Sequence, residues 1–256
     1  MKILFLGTGT SVGVPMIGCG CAVCKSPDPR NKRRRTSLYL EAEGIHIVVD
    51  TTPDFREQAL EHKIPRVDAV LFTHSHADHI FGFDDIRRFN TMQDSVIPAY
   101  AYDEALVDLK RIFDYIGTEK VPGHYRPRIE FKEIKGPFDI GKIHIIPLEV
   151  KHGPKPTLGF VFLAEGKKLA YFPDCREIAD ETMEKLVGAD VMILDALKHT
   201  LHKTHLTVQE SVGLLQRIGA KQSYLIHMCH ELDHEETEKN LPDAIRISYD
   251  GLEIIL

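Results

Sequence analysis

The sequence predicts an α/β protein in which two β-sheets are covered by helices. Strand-length apolar runs alternate with helical patterns along the 256 residues, of which 43% are hydrophobic. The runs at 67–72 and 191–194 have the length and apolar character of buried strands. Because a sheet must bury its apolar face, strand-rich blocks with helices between them favour a two-sheet sandwich. No long linker interrupts the pattern, so we expect one domain over residues 1–256.

The first half of the chain carries strand and helix patterns in turn. Strands are predicted at 3–6, 37–42, 45–50 and 67–72. Thr52 before Pro53 predicts an N-cap for a helix that runs to about His62. Apolar spacing predicts two more helical faces, one at Ile80, Phe83, Ile86 and Phe89 and one at Ala105, Leu109, Ile112 and Ile116. The basic run 32–35 is interpreted as a solvated loop, and the segment 117–128 as an irregular lid.

The second half is richer in strands. They are predicted at 129–134, 143–150, 159–164, 168–172, 191–194 and 223–226, with 245–256 closing the chain. Helices are predicted at 179–187 and 208–218, with a short one near Glu235. Thr207 and Glu210 form a capping-box pattern at the start of the second of these helices.

Composition excludes several classes of protein. A net charge of −6 argues against a general nucleic-acid binder. No apolar stretch approaches the roughly 20 residues that span a membrane, and the apolar run at the start is too short for a signal peptide. The chain has 5 cysteines, three of them within six positions, which indicates metal binding in a reducing cytoplasm rather than disulfides.

The segment 73–79 carries three histidines and one aspartate directly after the apolar run 67–72. In an extended segment, residues two apart point the same way, so His74 and His76 can hold one metal ion together. Asp78 and His79 point elsewhere and suit a second ion. Three more candidate ligands, namely His152, Asp174 and His227, each follow an apolar strand. A shared site at one edge of the sheets requires such a placement.

The string His74-x-His76-x-Asp78-His79 resembles the signature of the metallo-β-lactamase superfamily. The resemblance implies a four-layer αβ/βα sandwich, two mixed β-sheets flanked by helices, with a dinuclear metal site at the edge between the sheets. It implies one ion on His74, His76 and His152, a second on Asp78, His79 and His227, and Asp174 bridging both. Asp50 would support the segment 73–79, called the metal loop, by hydrogen bonds. Histidine at position 76 argues against the redox di-iron members, and we expect Mn²⁺ or Zn²⁺.

A second metal site is predicted at the cysteines. Cys19, Cys21 and Cys24 offer three thiolates on one short loop, and a structural zinc ion needs four such ligands. We expect His230 as the fourth ligand, with Cys229 as its rival. Cys175 is expected to be a small buried thiol.

The residues 7–15 leading into the cysteine loop look like the PhnP group, whose named member is a phosphoribosyl cyclic phosphate phosphodiesterase. The likeness covers essentially the whole chain. By resemblance to this group and to ribonuclease Z, His205 is the general acid, with Asp195 orienting it. His205 also precedes a helix N-terminus, where a phosphate could rest. His199 and His202 are interpreted as exposed or hydrogen-bonded side chains.

The leading hypothesis is a cytoplasmic, metal-dependent phosphodiesterase that hydrolyses a small cyclic phosphate, such as phosphoribosyl 1,2-cyclic phosphate. Attack by a metal-bridging hydroxide would be assisted by His205 as general acid, and Asp78 and Asp195 complete the catalytic group. The alternatives are a ribonuclease Z-like nuclease, a cyclic-nucleotide phosphodiesterase, and a non-catalytic metal- or RNA-binding module. The expected partner is a small phosphodiester, with nucleic acid disfavoured, no membrane, and a homodimer left open.

Overall fold

The structure is a computed structural model that describes residues 1–123 and 125–256. In this part of the chain two seven-stranded sheets pack face to face, and helices cover both outer faces. The result is the four-layer sandwich of two mixed sheets that the sequence predicted.

The first sheet combines an antiparallel and a parallel half. Its strands are β1 (Lys2–Gly7), β2 (Ser37–Ala42), β3 (Ile45–Val49), β4 (Ala69–Leu71), β5 (Ile97–Ala101), β6 (Ile129–Glu133) and β14 (Glu253–Ile255). They lie in the order β14-β1-β2-β3-β4-β5-β6. The pairs from β14 to β3 are antiparallel, and those from β3 to β6 are parallel.

The second sheet repeats this division. Its strands are β7 (Phe138–Ile140), β8 (Ile143–Val150), β9 (Thr157–Ala164), β10 (Lys167–Phe172), β11 (Val191–Asp195), β12 (Gln222–Ile226) and β13 (Ile245–Ile247). Their order is β13-β12-β11-β10-β9-β8-β7, with antiparallel pairs from β7 to β10 and parallel pairs from β10 to β13.

Short helices fill the connections. They are α1 (Ala22–Lys25), α2 (Phe55–Glu61), α3 (Ala77–Ile80), α4 (Ile86–Gln93), α5 (Asp103–Ile112), α6 (Asp180–Leu186), α7 (Val208–Ile218) and α8 (His234–Lys239). Two 3₁₀ turns lie at Pro29–Asn31 and Phe83–Asp85. Across the described residues, none of these helices combines the length and the apolar character that crossing a membrane requires.

Three buried apolar clusters hold the four layers together. The central cluster lies between the sheets and includes Phe5, Leu38, Phe160 and Tyr171, all fully buried. A second cluster packs α6 and α7 against the outer face of the second sheet, and a third packs α2, α4 and α5 against the first. Burying apolar area on both faces of both sheets explains why so many strands read as nearly continuous apolar runs.

Several predicted elements differ from those observed. α2 begins at Phe55 with Asp54 as its N-cap, so the predicted cap at Thr52 is wrong. The Thr52 hydroxyl instead accepts a hydrogen bond from the Asp54 N–H, which places a turn before the helix. The closing segment 245–256 is two strands, β13 and β14, on different sheets, and the sequence patterns missed β5 and β7. The predicted lid at 117–128 includes residue 124, which lies outside the described residues.

The basic run 32–35 is bound into the protein, not solvated as predicted. Arg33 is 1% exposed, and its guanidinium donates to the carbonyl oxygens of Cys229 and Leu232 at 3.1 and 2.7 Å. Arg35 pairs with Asp54 at 2.9 Å. The Arg33 contacts fasten the residues before β2 to the segment that follows β12, and the Arg35 pair fastens them to the start of α2.

A loop after β1 joins the two sheets at the edge where the candidate ligands lie. Met228 donates to the Thr8 carbonyl at 2.9 Å and accepts from the Thr10 N–H at 3.1 Å. Thr8 is held in turn by the partly buried Asp250, whose carboxylate accepts from the Thr8 N–H at 2.9 Å and from its hydroxyl at 2.8 Å. A Cβ atom at position 9 would lie 2.7 Å from the Arg33 carbonyl oxygen, so only glycine fits this close approach of the two backbone segments.

Candidate metal centre

The metal loop begins where β4 ends. Asp50 is fully buried after β3 and accepts hydrogen bonds from the Thr73 N–H and hydroxyl, both at 2.8 Å. Its second oxygen also lies 2.8 Å from His79 Nδ1. Because this contact fixes the His79 ring, Nε2 is left pointing at Asp174 and Asp78, 3.2 and 3.3 Å away. Asp50 therefore occupies the supporting place that the sequence predicted for it.

His74, His76 and His152 converge at one side of the centre. Their candidate ligand atoms all lie within 4.8 Å of one another. His74 Nε2 is 2.8 Å from His76 Nδ1, and His152 Nδ1 contacts the Thr204 carbonyl at 3.0 Å. That carbonyl can only accept, so Nδ1 carries the proton and the lone pair of His152 sits on Nε2.

The other side is formed by Asp78, His79 and His227, whose ligand atoms also lie within 4.8 Å of one another. Asp174 stands between the two sides. Its carboxylate is 3.3 Å from His227 Nε2, 3.2 Å from His79 Nε2 and 3.6 Å from His152 Nε2. We call these seven residues the His/Asp cluster: His74, His76, Asp78, His79, His152, Asp174 and His227.

Backbone strain marks two residues of this region. Asp50 and His227 have φ angles of 64° and 62°, in the left-handed region that non-glycine residues rarely adopt. Each directly follows a strand and turns its side chain into the centre. Strain of this kind, on the order of 1–3 kcal/mol per residue, persists where surrounding contacts hold the backbone in place.

The His/Asp cluster has the donor set of a divalent metal site. Within the described residues, His79 Nε2, Asp174 Oδ2 and both ring nitrogens of His227 are buried without a hydrogen-bond partner. Burial lowers the pKa of His74 well below its usual value and that of His152 to about 4, so both rings offer lone pairs at neutral pH. Burial opposes ionisation of Asp174, but the His227 and His79 rings outweigh it and hold the pKa of that carboxyl well below its ordinary value. Imidazole nitrogens and ionised carboxylates that face one space form the donor set that Zn²⁺ and Mn²⁺ bind.

His205 and Asp195 form a buried pair beside this cluster. Asp195 ends β11, and its Oδ2 is 2.8 Å from His205 Nδ1 and accepts from the Cys175 N–H at 3.0 Å. Burial would lower the pKa of His205, but the Asp195 carboxylate outweighs burial and raises it to about 9. The His205 ring stacks on His227 with centroids 4.6 Å apart and meets the edge of His152 at the same distance.

His199 and His202, the two other histidines of this segment, are not part of the His205–Asp195 pair. His202 is exposed, with its ring centroid 5.2 Å from that of His205. His199 lines a groove of about 460 Å³ together with residues of α7 and α8. Neither ring pairs with Asp195 among the contacts described, so the geometry singles out His205 in this segment.

The four residues predicted for a structural zinc ion also come together. The ligand atoms of Cys19, Cys21, Cys24 and His230, the cysteine cluster, lie within 4.8 Å of one another. His230 Nδ1 is 3.3 and 3.4 Å from the thiols of Cys19 and Cys21. Hydrogen bonds from the Cys24 N–H and from His230 lower the pKa of the Cys21 thiol to about 6, which favours the thiolate that binds zinc. Cys229, the rival ligand, lies outside this group, and its sulfur accepts from the Glu231 N–H at 3.4 Å.

Two contributors to the centre were missed at the level of sequence. The Thr73 hydroxyl lies 2.8 Å from Asp50 and 2.9 Å from His74, so it links the supporting carboxylate to a candidate ligand. The Thr204 carbonyl sets the orientation of His152 from 52 positions away. Neither contributor can be recognised from the spacing of residues in the sequence. The first is a common threonine side chain, and the second is a backbone carbonyl.

Known proteins are similar to this chain in fold and in sequence. A family model described as Beta-lactamase superfamily domain matches residues 46–228. An octanoyltransferase of Porphyromonas gingivalis is 36% identical over 261 residues, which cover 100% of this chain and 52% of that protein. The chain thus spans about half the length of this relative.

Solved structures are similar to this chain as well. The crystal structure of a new diphosphatase from the PhnP family is 38% identical, with a TM-score of 0.92, and the match covers 100% of this chain and 97% of that one. Zn²⁺-bound PqqB from Methylobacterium extorquens covers 100% of both chains with a TM-score of 0.82 at 20% identity, a likeness of fold.

The four-layer fold, with a cluster of histidines and carboxylates at one edge of its two sheets, defines a metal-dependent hydrolase. The chain belongs to the beta-lactamase superfamily, and it resembles the PhnP family within it.

Proposed function

We propose that the protein is a phosphodiesterase that hydrolyses a small phosphodiester, with a cyclic phosphate as the leading substrate class. The observation that carries the proposal is the His205–Asp195 pair, 2.8 Å apart and packed against the rings of His152 and His227. A protonated imidazole beside a metal centre can protonate an alkoxide leaving group. A phosphodiester with a poor leaving group is the kind of substrate that needs such an acid.

In this proposal His74, His76 and His152 would hold one divalent cation, and Asp78, His79 and His227 would hold a second, with Asp174 facing both groups of ligands. Bound divalent cations supply an activated water nucleophile and neutralise the charge of the phosphoryl group. Asp50 and the Thr204 carbonyl keep the rings of His79 and His152 in the orientation in which Nε2 faces Asp174. The cysteine cluster is proposed to hold a structural zinc ion that fastens the loop 19–24 to His230.

His205 carries out the proton transfer. As water oxygen bonds to phosphorus, the bond from phosphorus to the leaving oxygen breaks, and the His205 imidazolium gives that oxygen its proton. Asp195 stays ionised, holds the ring through Nδ1 and stabilises its charged form. The proton lost by the attacking water balances the one that His205 gives, so the cycle closes when His205 is protonated again.

A second candidate is hydrolysis of a diphosphate linkage. The specific observation in its favour is the 38% identity, over the whole chain, to a protein named as a diphosphatase of the PhnP family. The same acid and ligands would serve, because a phosphate leaving group also departs as an oxyanion. The name octanoyltransferase belongs to a relative about twice as long, so we carry no acyl transfer over to this chain.

A panel of substrates tests the proposal. Purified protein would be loaded with Mn²⁺ or Zn²⁺ and assayed with bis(p-nitrophenyl) phosphate, with 1,2-, 2′,3′- and 3′,5′-cyclic phosphates, and with a dinucleoside diphosphate. We expect metal-dependent turnover that is lost in a chelator and is highest for one cyclic phosphate. Preference for the diphosphate would favour the second candidate. No turnover of any of them under either metal would contradict both.

A further inference from the structure

Glu210 links the segment that carries His205 to the segment that carries Asp174. It lies in the first turn of α7, where its Oε2 accepts hydrogen bonds from the N–H and the hydroxyl of Thr207 at 2.8 and 2.9 Å. Its other oxygen, Oε1, accepts from the Arg176 guanidinium at 2.9 Å. Thr207 lies two residues after His205, and Arg176 lies two residues after Asp174. One carboxylate therefore holds both segments, close to a residue that the proposed reaction uses in each.

The segment after Asp174 is fixed on its other side as well. Arg176 donates its N–H to the Lys151 carbonyl at 2.6 Å, and a β-bridge between Lys151 and the residue after Arg176 continues this pairing. Lys151 directly precedes His152. Arg176 thus holds the segment of one candidate ligand through its backbone and the segment of His205 through its side chain.

A second junction between the same segments runs through Asp195. Its Oδ2 accepts from the Cys175 N–H at 3.0 Å and from the Leu206 N–H at 3.3 Å. The same oxygen lies 2.8 Å from His205 Nδ1. Because these contacts share one oxygen, a shift of the Arg176 segment against α7 acts on the contact that orients the acid.

The Arg176–Glu210 pair lies away from the metal centre. It borders a groove of about 540 Å³, and the described residues that line this groove include no member of the His/Asp cluster. Burial opposes ionisation of Glu210, but hydrogen bonds from Thr207 and the charge of Arg176 lower its pKa, so the pair is charged at neutral pH. The two side chains are 33% and 32% exposed, and such a pair contributes little to the free energy of unfolding.

We propose that Glu210 and Arg176 are positioning residues that set the place of the His205 imidazole relative to Asp174. Without the pair, one of the two junctions between the segments is released, and the acid is held less closely to the leaving oxygen. The proton transfer slows, whereas groups that depart without a proton are unaffected. This inference rests on the proposed phosphodiesterase function and adds to it two residues outside the His/Asp cluster.

Two variants separate this link from the cap of α7. Glu210→Gln keeps an oxygen for the capping box, which accepts glutamine at this position, and loses the ion pair. Arg176→Gln removes the cation and leaves the cap intact. In each variant we expect kcat for the cyclic phosphate that the parent hydrolyses fastest to fall about tenfold, because proton transfer depends on close placement. For bis(p-nitrophenyl) phosphate, kcat should fall less than about twofold.

The double variant should lose no more than either single variant, because both substitutions remove the same contact. Arg176→Lys keeps the cation and should recover most of the parent rate. Arg217→Met is the matched control, because this cation of α7 lines the same groove but pairs with the exposed Asp180. It should keep both rates. Metal content and Tm should match those of the parent in all of these variants.

Amide hydrogen exchange of the zinc-loaded protein gives a readout that needs no turnover. The amides of Cys175 and Leu206 should exchange about threefold to fivefold faster in Glu210→Gln and in Arg176→Gln, because one junction between their segments is gone. Arg217→Met should leave both rates of exchange unchanged. The Thr207 amide should stay protected in Glu210→Gln, which would show that the cap of α7 is intact.

Both the kinetics and the exchange measurement can overturn the inference. Equal losses for the two esters in Glu210→Gln and Arg176→Gln, or no loss for either ester, would show that the pair does not place the acid. Unchanged exchange at Cys175 and Leu206 would show that it does not hold the two segments together. Failure of the proposed function looks different, because the parent would then hydrolyse no ester of the panel, while the exchange comparison still decides whether the pair couples the segments.

Discussion

The His/Asp cluster and the cysteine cluster are built in opposite ways. The first draws its residues from loops that follow strands of both sheets, between positions 74 and 227, and buries most of them. The second takes three of its four residues from the loop 19–24, where Cys19 and Cys21 remain partly exposed. His230 alone reaches it from the other sheet, at the end of the segment that follows β12.

The supporting contacts differ as well. Asp50 and the Thr204 carbonyl hold the rings of His79 and His152 by hydrogen bonds that need no ion. In the cysteine cluster the contacts run mainly between the thiols, His230 and nearby backbone groups. A preorganised site can lose its ion and keep its shape, whereas a site tied together by its own ligands depends on the ion. We therefore expect chemistry to fail at the first cluster and folding to fail at the second.

The largest expected effect is that of Asp174→Ala. Because this carboxylate contacts residues on both sides of the His/Asp cluster, its removal should abolish binding of the active-site ions and measurable turnover. The zinc ion at the cysteine cluster should stay, since Asp174 touches none of its residues. Elemental analysis and circular dichroism would measure metal content and folding.

Asp180→Ala, which removes a carboxylate that is 92% exposed on α6, is the control for that variant. It should keep both kinds of metal. Full metal content in Asp174→Ala would contradict the ligand assignment, and simultaneous loss of the cysteine-bound zinc would contradict the independence of the two clusters.

His205→Ala should leave metal content unchanged and reduce turnover of substrates with alkoxide leaving groups by about 10²–10⁴-fold. Turnover of p-nitrophenyl esters should fall far less, because nitrophenolate departs without a proton. Steady-state kinetics with both kinds of ester would measure the difference. His199→Ala and His202→Ala are controls from the same segment. An equal loss for both esters in His205→Ala would mean that this residue positions the phosphate and does not protonate the leaving group.

Asp195→Asn should change the pH dependence of the same reaction. Asp195 raises the pKa of His205 to about 9, and a general acid works only below its own pKa. Without the carboxylate the pKa falls, so activity should be lost at a pH lower by about 1–3 than in the parent. The pH profile of kcat for an alkoxide ester measures this. For a p-nitrophenyl ester, this loss of activity at high pH should be absent in both proteins. A pH profile for the alkoxide ester that is the same in Asp195→Asn and in the parent would exclude Asp195 from this role.

Cys21→Ser is expected to have the smallest effect on turnover and a clear effect on stability. Loss of a structural zinc ligand should lower the Tm by about 5–10 °C, while kcat of the folded fraction changes little. Thermal unfolding and zinc content would be measured together. Cys229→Ser is the matched control, because that neighbouring thiol lies outside the cluster. A wild-type Tm with abolished turnover would assign the cysteine cluster to catalysis.

All seven residues of the His/Asp cluster could be predicted from the sequence, because they occupy recognisable places. His74, His76, Asp78 and His79 form one short motif, and the remaining three each follow an apolar strand. Strands such as β2 and β8 and the helix α7 match their predicted bounds, since their apolar patterns are long and their ends carry turn or cap residues. The order of the strands in the two sheets then places these distant residues next to one another.

Other features could not be predicted because they depend on contacts between distant segments. Arg176 meets Glu210 across 34 positions, and no local pattern distinguishes that pair from ordinary surface charges. In the sequence, Arg33 looks like any other residue of a basic run. It is buried because carbonyl oxygens near residue 230 accept hydrogen bonds from its guanidinium. The strand β7 is three residues long and lies at a sheet edge, so its pattern was too short to count.

The segment 227–230 serves both clusters, and this has a consequence for how the chain can vary. Two residues separate His227 from His230, and Met228 between them is fixed on both sides by Thr8 and Thr10. A point substitution at either histidine acts on one cluster alone. If a residue were inserted or deleted between them, only one of the two histidines could keep its position, and the other would leave its cluster. The length of this segment should therefore vary less than its composition in homologues that keep both clusters, whereas homologues that have lost the cysteines are free to vary it.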